Sequence, residues 1–189
     1  MKIINIFLVV LILFCTFFFL SNKTFDDRVY IISRFDNKKY LVRNTIDKHN
    51  TADALARLIS KIESLIEYLN NNIQNYQEYS GMIKRLKSRF KANNISEGVI
   101  DHRYTSYTIN KGQEVTLCMK SRDHLDSIYD DDILYYVMAH ELAHIGSITV
   151  DHNDEFKKNF SFILNVSLEK KLFKMKQESF NYCGLQTEM

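Results

Sequence analysis

The chain has no proline and no tryptophan, and only five glycines and three cysteines among 189 residues. No CxxC pair occurs, which argues against a thiolate zinc site. Of the cysteines, Cys15 lies in an apolar N-terminal run, so at most one bridge, Cys118 to Cys183, could form. So sparse and odd a set fits a reducing compartment better than a disulfide scaffold. Excess charge is also missing: the formal net charge is +2, too near neutrality to suggest nucleic-acid binding by bulk electrostatics. No internal repeat or low-complexity tract is present. The frequent Asn, Lys and Ile read as drift toward AT-rich codons rather than as function. What remains is a chain of one-domain length, 46% hydrophobic, able to build a single core.

The longest apolar run is IINIFLVVLILFCTFFFL, from Ile3 to Leu20. As a helix it would span roughly 27 Å at about 1.5 Å per residue, enough to cross a hydrocarbon core. No A-x-A-like cleavage site follows it, so residues 1–22 are expected to be an uncleaved transmembrane anchor. Lys2 precedes the run, whereas Lys23, Arg28, Arg34, Lys38 and Lys39 follow it. The positive-inside bias then predicts a single-pass membrane protein with its C-terminal domain in the cytosol.

Residues 23–50 are polar and read as a linker or juxtamembrane segment. Their β-leaning pieces, Arg28–Ile32 and Tyr40–Val42, leave a first strand pair as the alternative. Residues 51–189 read as one domain. Leu55, Leu58, Ile59, Ile62, Leu65, Ile66 and Leu69 recur at three- and four-residue steps, predicting a core-facing helix capped by Thr51 or Asp53. A shorter helix is predicted from Met82 to Phe90. Its Lys84, Arg85, Lys87 and Arg89 form a wet face, or a contact for nucleic acid or anionic lipid through residues 84–91. Residues 104–119 read as a β-hairpin around the turn Asn110-Lys111-Gly112-Gln113. Asp130, Asp131 and Asp132 sit at the start of a helix predicted from Ile133 to Ile145, with Gly146 as its C′ residue. A last helix starts near Asn153 or Asp154, with Phe156, Phe160, Ile163, Leu164, Leu168 and Leu172 on one face.

The third of these helices carries His140-Glu141-Leu142-Ala143-His144. Histidines four apart share a helix face, so both imidazoles can reach one metal ion. Glu141, rotated about 100° from His140, falls beside that ion, where it can take a proton from a metal-bound water and return one to a leaving amine. The residues before the motif, Ile133 to Ala139, are apolar nearly all round. That suits a buried helix and not an accidental HExxH on a surface one. A catalytic zinc takes three protein ligands and keeps one position open. The third is expected to be His152, separated from His144 by a seven-residue link, with Asp151, Asp154 and Glu155 as alternatives. One zinc per chain is the implied cofactor, and a polypeptide is the implied substrate. Val115–Met119 is the expected edge for an extended substrate, with Tyr104 or Tyr107 able to polarise its carbonyl. His49, His102 and His124 carry no such signal.

At these residues the chain resembles the WLM and SprT-like zinc metallopeptidases, and within them the small metallopeptidase-like proteins of large DNA viruses. The resemblance runs over about residues 51–185. It rests on Thr105-Ser106-Tyr107-Thr108-Ile109-Asn110-Lys111-Gly112, Val115-Thr116-Leu117-Cys118, the HELAH segment, His152-Asn153 with Phe156, and Tyr182-Cys183-Gly184. It implies zinc on His140, His144 and His152, and Glu141 as the catalytic acid/base. It also implies an α+β fold: a mostly helical, small zincin-like domain with a short antiparallel hairpin over the HExxH helix, here behind one N-terminal transmembrane helix. If the chain is viral, the membrane would be that of virion or host. Cellular members act on proteins crosslinked to DNA or joined to ubiquitin-like modifiers, a substrate class that does not carry over to an anchored chain lacking a strong basic surface.

Overall fold

The computed structural model describes residues 11, 12, 14, 26–99, 105–122, 127–175 and 179–188. Its first elements are a hairpin of β1 (Arg28–Ile32) and β2 (Lys39–Arg43), paired antiparallel with Val29 opposite Val42. Of the two readings open for this stretch, the strand pair is the one that forms. Helix α1 (Lys48–Asn71) follows, and the whole predicted stripe from Leu55 to Leu69 is buried along it. The helix begins earlier than Thr51 or Asp53, so neither caps it. Asp53 instead accepts from Ser33 Oγ, Arg34 N and Arg34 Nε at 3.0, 2.7 and 2.8 Å, tying the β1–β2 turn to the helix.

Helix α2 (Ser80–Arg89) crosses to a three-stranded sheet of β3 (Ile95–Glu97), β4 (Tyr107–Ile109) and β5 (Glu114–Leu117), in the order β3-β5-β4. The expected hairpin is present as β4 and β5, with Asn110, Lys111 and Gly112 at φ 45°, 59° and 102° in its turn. The sheet, however, is mixed, because β3 pairs parallel to β5. Helices α3 (Asp131–Gly146) and α4 (Asp154–Glu169) complete the helical layer. A terminal hairpin, β6 (Ser179–Tyr182) and β7 (Leu185–Glu188), pairs with no other strand among the described residues.

The fold is therefore mixed α/β with small sheets, and the predicted transmembrane element is a correction. Among the described residues no helix is long and apolar enough to cross a membrane, so neither the anchor nor single-pass membrane localisation is supported. The predicted span, residues 1–22, lies almost wholly outside the described residues. An apolar run meets the length criterion on composition alone, and composition does not establish a spanning helix.

Helix α3 is buried on nearly every side: Leu134, Tyr135, Val137, Met138, Leu142 and Ile145 contribute to the core. Its end corrects another expectation. Gly146 is the last helical residue and has no positive φ. A Cβ there would lie 2.8 Å from Met82 Cγ and 3.1 Å from its Sδ, so glycine is required by the close approach of α2. Gly146→Ala is expected to destabilise the fold by about 1–3 kcal/mol through overpacking, and by less in a Met82→Ala background. Chemical denaturation of the three variants checks this, and an unchanged midpoint for Gly146→Ala would refute the packing argument.

Candidate metal centre

The helix that carries the motif is fixed at both ends. At its N-terminus the Asp130 side chain accepts from Asp132 N at 2.9 Å, and Arg57 makes two 3.0 Å bonds to Asp131. At its C-terminus Arg85 Nε donates to Gly146 O at 2.5 Å, and Arg89 donates to Ile145 O and Ser147 O at 2.9 and 3.2 Å. Cations there satisfy carbonyls that the helix itself leaves open and oppose its negative dipole end. Two of the five basic residues of 84–91 thus face inward, while Lys84, Lys87 and Lys91 are exposed.

With the helix fixed, His140 and His144 stand one turn apart, their ring centroids separated by 5.0 Å. The chain leaves α3 at Ser147 and returns at Asn153, whose side chain caps α4 by accepting from Phe156 N at 3.1 Å. The loop between them is held from three directions. Glu155 accepts from Ile148 N at 3.0 Å and from Thr149 N and Oγ1 at 3.3 Å each. Lys111 Nζ, from the hairpin turn, donates to His144 O at 3.2 Å and to Thr149 O. Asn153 Nδ2 donates to Thr149 Oγ1 at 2.8 Å.

The loop so held returns His152 to the other two imidazoles. Its Nε2 lies 3.1 Å from that of His144 and 2.9 Å from that of His140. Phe156 closes the set from below, with centroids 4.8, 4.4 and 4.6 Å from His140, His144 and His152. Among the described residues these three histidines form the group whose donors converge as a metal would require. Asp151 and Asp154 are outside it, and Glu155 is committed to the loop, so the three acidic alternatives are not part of the cluster.

The donor chemistry fits a metal ion. Each neutral imidazole carries one proton on two nitrogens, and a nitrogen facing two others at about 3 Å cannot satisfy both by donation. A cation shared by the three lone pairs can. Their spacing is slightly shorter than the roughly 3.3 Å edge of a tetrahedron built on metal–nitrogen bonds of about 2.0–2.1 Å. Burial, reinforced by the neighbouring imidazoles, lowers His140 to about 4; burial, with His152 and Lys111 beside it, does the same for His144. Both rings are therefore neutral at pH 7, the form that ligates.

Glu141 lies on the same turn but away from the three nitrogens. It is 4% exposed, and its Oε2 accepts from Thr108 Oγ1 on β4 at 2.7 Å. Burial pushes the carboxyl up to about 7, against the lowering effect of the Thr108 hydrogen bond. In front of the histidines and Glu141 opens a cavity of about 660 Å³. Tyr107, Thr108 and Lys111 from the hairpin, Tyr136 and Val137 from α3, and Tyr182 from β6 line it.

Sequence reasoning missed Thr108, Lys111 and Tyr182. Their only trace in the sequence is the set of short segments that carry the family resemblance. The expected substrate strand is also displaced: Val115–Leu117 is central, paired with β3 on one side and β4 on the other, and neither edge is open. Tyr107 lines the cavity, while Tyr104, His102 and His124 lie outside the described residues.

Comparison with known proteins places the chain among viral proteins. It is 37% identical over 186 residues to Uncharacterized protein R325 of Acanthamoeba polyphaga mimivirus, a match spanning 97% of this chain and 93% of that one. The chain belongs to the same family as R325. A second relative of this R325 family member, Uncharacterized protein 136R of Invertebrate iridescent virus 6, is 29% identical over 109 residues, 57% of this chain and 59% of that protein. No family model matches. Crystal structures of Wss1 and of a Wss1 mutant, both from Saccharomyces cerevisiae, align over 51% and 54% of this chain and 84% and 87% of theirs. Identities are 19% and 17%, and the TM-score is 0.37 in both cases. A likeness that loose carries no argument here.

The loop geometry makes Glu155 a support for His152. Glu155→Ala is expected to weaken binding of a divalent ion at the three histidines about 10- to 100-fold, read by competition against a chromogenic chelator. An affinity equal to wild type would show that the loop holds its shape without the carboxylate.

Proposed function

We propose that this chain is a zinc-dependent peptidase of the WLM and SprT-like kind, hydrolysing peptide bonds in polypeptide substrates. The observation that carries the reading is the meeting of three imidazole nitrogens beside a buried carboxylate that is not one of the cluster's donors, all facing one cavity. In this reading His140, His144 and His152 hold the zinc. The ion would supply a water whose pKa is brought to about 7 and would draw charge from the scissile carbonyl.

The remaining work falls to the chain. Glu141 takes a proton from the attacking water and delivers it to the leaving nitrogen, a role suited to a carboxyl whose pKa lies near neutrality. Thr108 engages Oε2, so in this reading Oε1 is the oxygen that exchanges the proton. Tyr136, Val137 and Tyr107 line the space next to the histidines and give it an apolar and aromatic wall for a substrate side chain. Lys111 and Glu155 keep the His152 loop in register.

A second reading is a zinc-stabilised scaffold without catalysis. A structural zinc site is closed by four protein ligands, whereas this cluster supplies three donors and faces a cavity of about 660 Å³. The open position favours hydrolysis.

The test compares wild type, Glu141→Gln and His152→Ala for zinc content and for cleavage of an unfolded protein. Wild type and Glu141→Gln are expected to hold about one zinc per chain. Cleavage by Glu141→Gln should fall about 10²- to 10⁴-fold, while His152→Ala should lose both metal and activity. Equal cleavage by wild type and Glu141→Gln would remove Glu141 from the mechanism, and zinc retained with no cleavage by wild type would favour the scaffold.

A further inference from the structure

Beyond the metal and its base, one side chain joins the cavity to a part of the fold that nothing in the mechanism uses. Tyr182 ends β6, is 4% exposed and lines the cavity together with Ser106, Thr108 and Glu141. Its hydroxyl donates to Cys118 O at 2.9 Å and lies 2.6 Å from Ser106 Oγ. Cys118 N in turn donates to Ser106 Oγ at 3.0 Å. Each hydroxyl has one proton, and that of Tyr182 goes to Cys118 O, so Ser106 is the donor to Tyr182. The result is a closed ring of three hydrogen bonds, each group donating once.

That ring fastens three points: the residue just before β4, the residue just after β5, and the end of β6. Side chains alternate along a strand, so Ser106 and Thr108 share the face that looks toward Glu141. A shift at Ser106 is transmitted over two residues to the Thr108 hydroxyl, which holds the Glu141 carboxylate.

The third fastening point is itself secured covalently. Cys183, next to Tyr182, is bonded to Cys118 across 65 residues of sequence, their Cα atoms 6.5 Å apart. Cys183 and Gly184, at φ 50° and 90°, form the two-residue turn of the hairpin. Cys183 N donates to Tyr129 Oη at 2.8 Å. Since β6 and β7 pair with no other strand among the described residues, Tyr182, Cys183 and their partners, together with Phe180 packed against the core, hold this hairpin beside the cavity. The bridge joins the one pair of cysteines that the sequence leaves able to pair.

We propose that Tyr182 is a positioning residue for Glu141, acting through Ser106, β4 and Thr108, and that the Cys118–Cys183 bridge latches it, so that the site responds to thiol–disulfide state. The inference rests on the peptidase reading for its kinetic consequence but not for its structural one. Reduction by a phosphine, with water as co-reactant, breaks the S–S bond to give two thiols and the phosphine oxide. The hairpin is then held by non-covalent contacts alone, and the ring of hydrogen bonds opens more often.

The experiment uses the full zinc-loaded chain in four forms: wild type oxidised, wild type reduced by a phosphine, Tyr182→Phe, and Cys118→Ser with Cys183→Ser. Hydrogen exchange is followed by mass spectrometry, together with zinc content and peptide cleavage. Tyr182→Phe keeps the aromatic side chain and removes only the hydroxyl, which opens the ring of hydrogen bonds. It is expected to speed exchange over residues 106–109 about 10-fold and leave α3, α4 and the zinc content unchanged. It should also lower kcat about 10-fold with KM within about twofold of wild type. Reduction should produce the same exchange signature reversibly, and the double serine variant should show it with or without phosphine. Exchange over 106–109 that is unaltered in both Tyr182→Phe and the reduced chain would overturn the inference, whatever the cleavage data. Absence of cleavage in wild type would instead count against the peptidase reading, because the exchange result is obtained independently of it.

Discussion

The Nε2 of His152 lies about 3 Å from those of both His140 and His144, a demand that its one proton cannot meet, and much of the surrounding structure serves to hold the three rings there. His140 and His144 are placed by helix periodicity. His152 is exposed, comes from a loop, and has to be brought in against chain entropy. Glu155, Lys111 and Asn153 hold the loop through Ile148 and Thr149. Phe156, in the first turn of α4, sets the floor on which all three rings rest. The loop is thus fastened by three separate elements, α4, the β4–β5 turn and its own cap.

The same economy governs α3. A helix buried on nearly all sides must still direct His140, Glu141 and His144 toward one opening. Arg85 and Arg89 reconcile these demands by engaging the last carbonyls from α2, which lets α2 approach until Gly146 touches Met82. Glu141 is buried beside the histidines, its Oε2 accepting a hydrogen bond from Thr108. A carboxyl desolvated in this way titrates near neutrality. The β4–β5 hairpin therefore contributes both to the carboxylate, through Thr108, and to the loop, through Lys111.

Much of this was legible in the sequence where a local period or spacing carried the information. The stripe of α1 is read directly from its three- and four-residue steps, because burial on one face leaves that pattern. HELAH places two imidazoles by the same periodicity, and His152 follows from the need for one more donor after the helix ends. What failed to be legible depends on pairings between distant segments. Ile95–Glu97 is too short to announce a strand, so Val115–Met119 reads as an edge although its strand is central. The bridge between Cys118 and Cys183, the terminal hairpin and the place of Tyr182 require the folded chain to bring residues 106, 118 and 182 together. Glu155 was weighed as a ligand on residue type, but its orientation is decided by the amides of Ile148 and Thr149. The N-terminal anchor was inferred from apolarity alone, and no helix among the described residues supports it.

The most direct measurement is X-ray absorption at the zinc edge on the metal-loaded chain. The zinc is expected to show three imidazoles with nitrogen at about 2.0–2.1 Å and one oxygen from water. A shell with two imidazoles and a protein carboxylate, or with any sulfur, would contradict it.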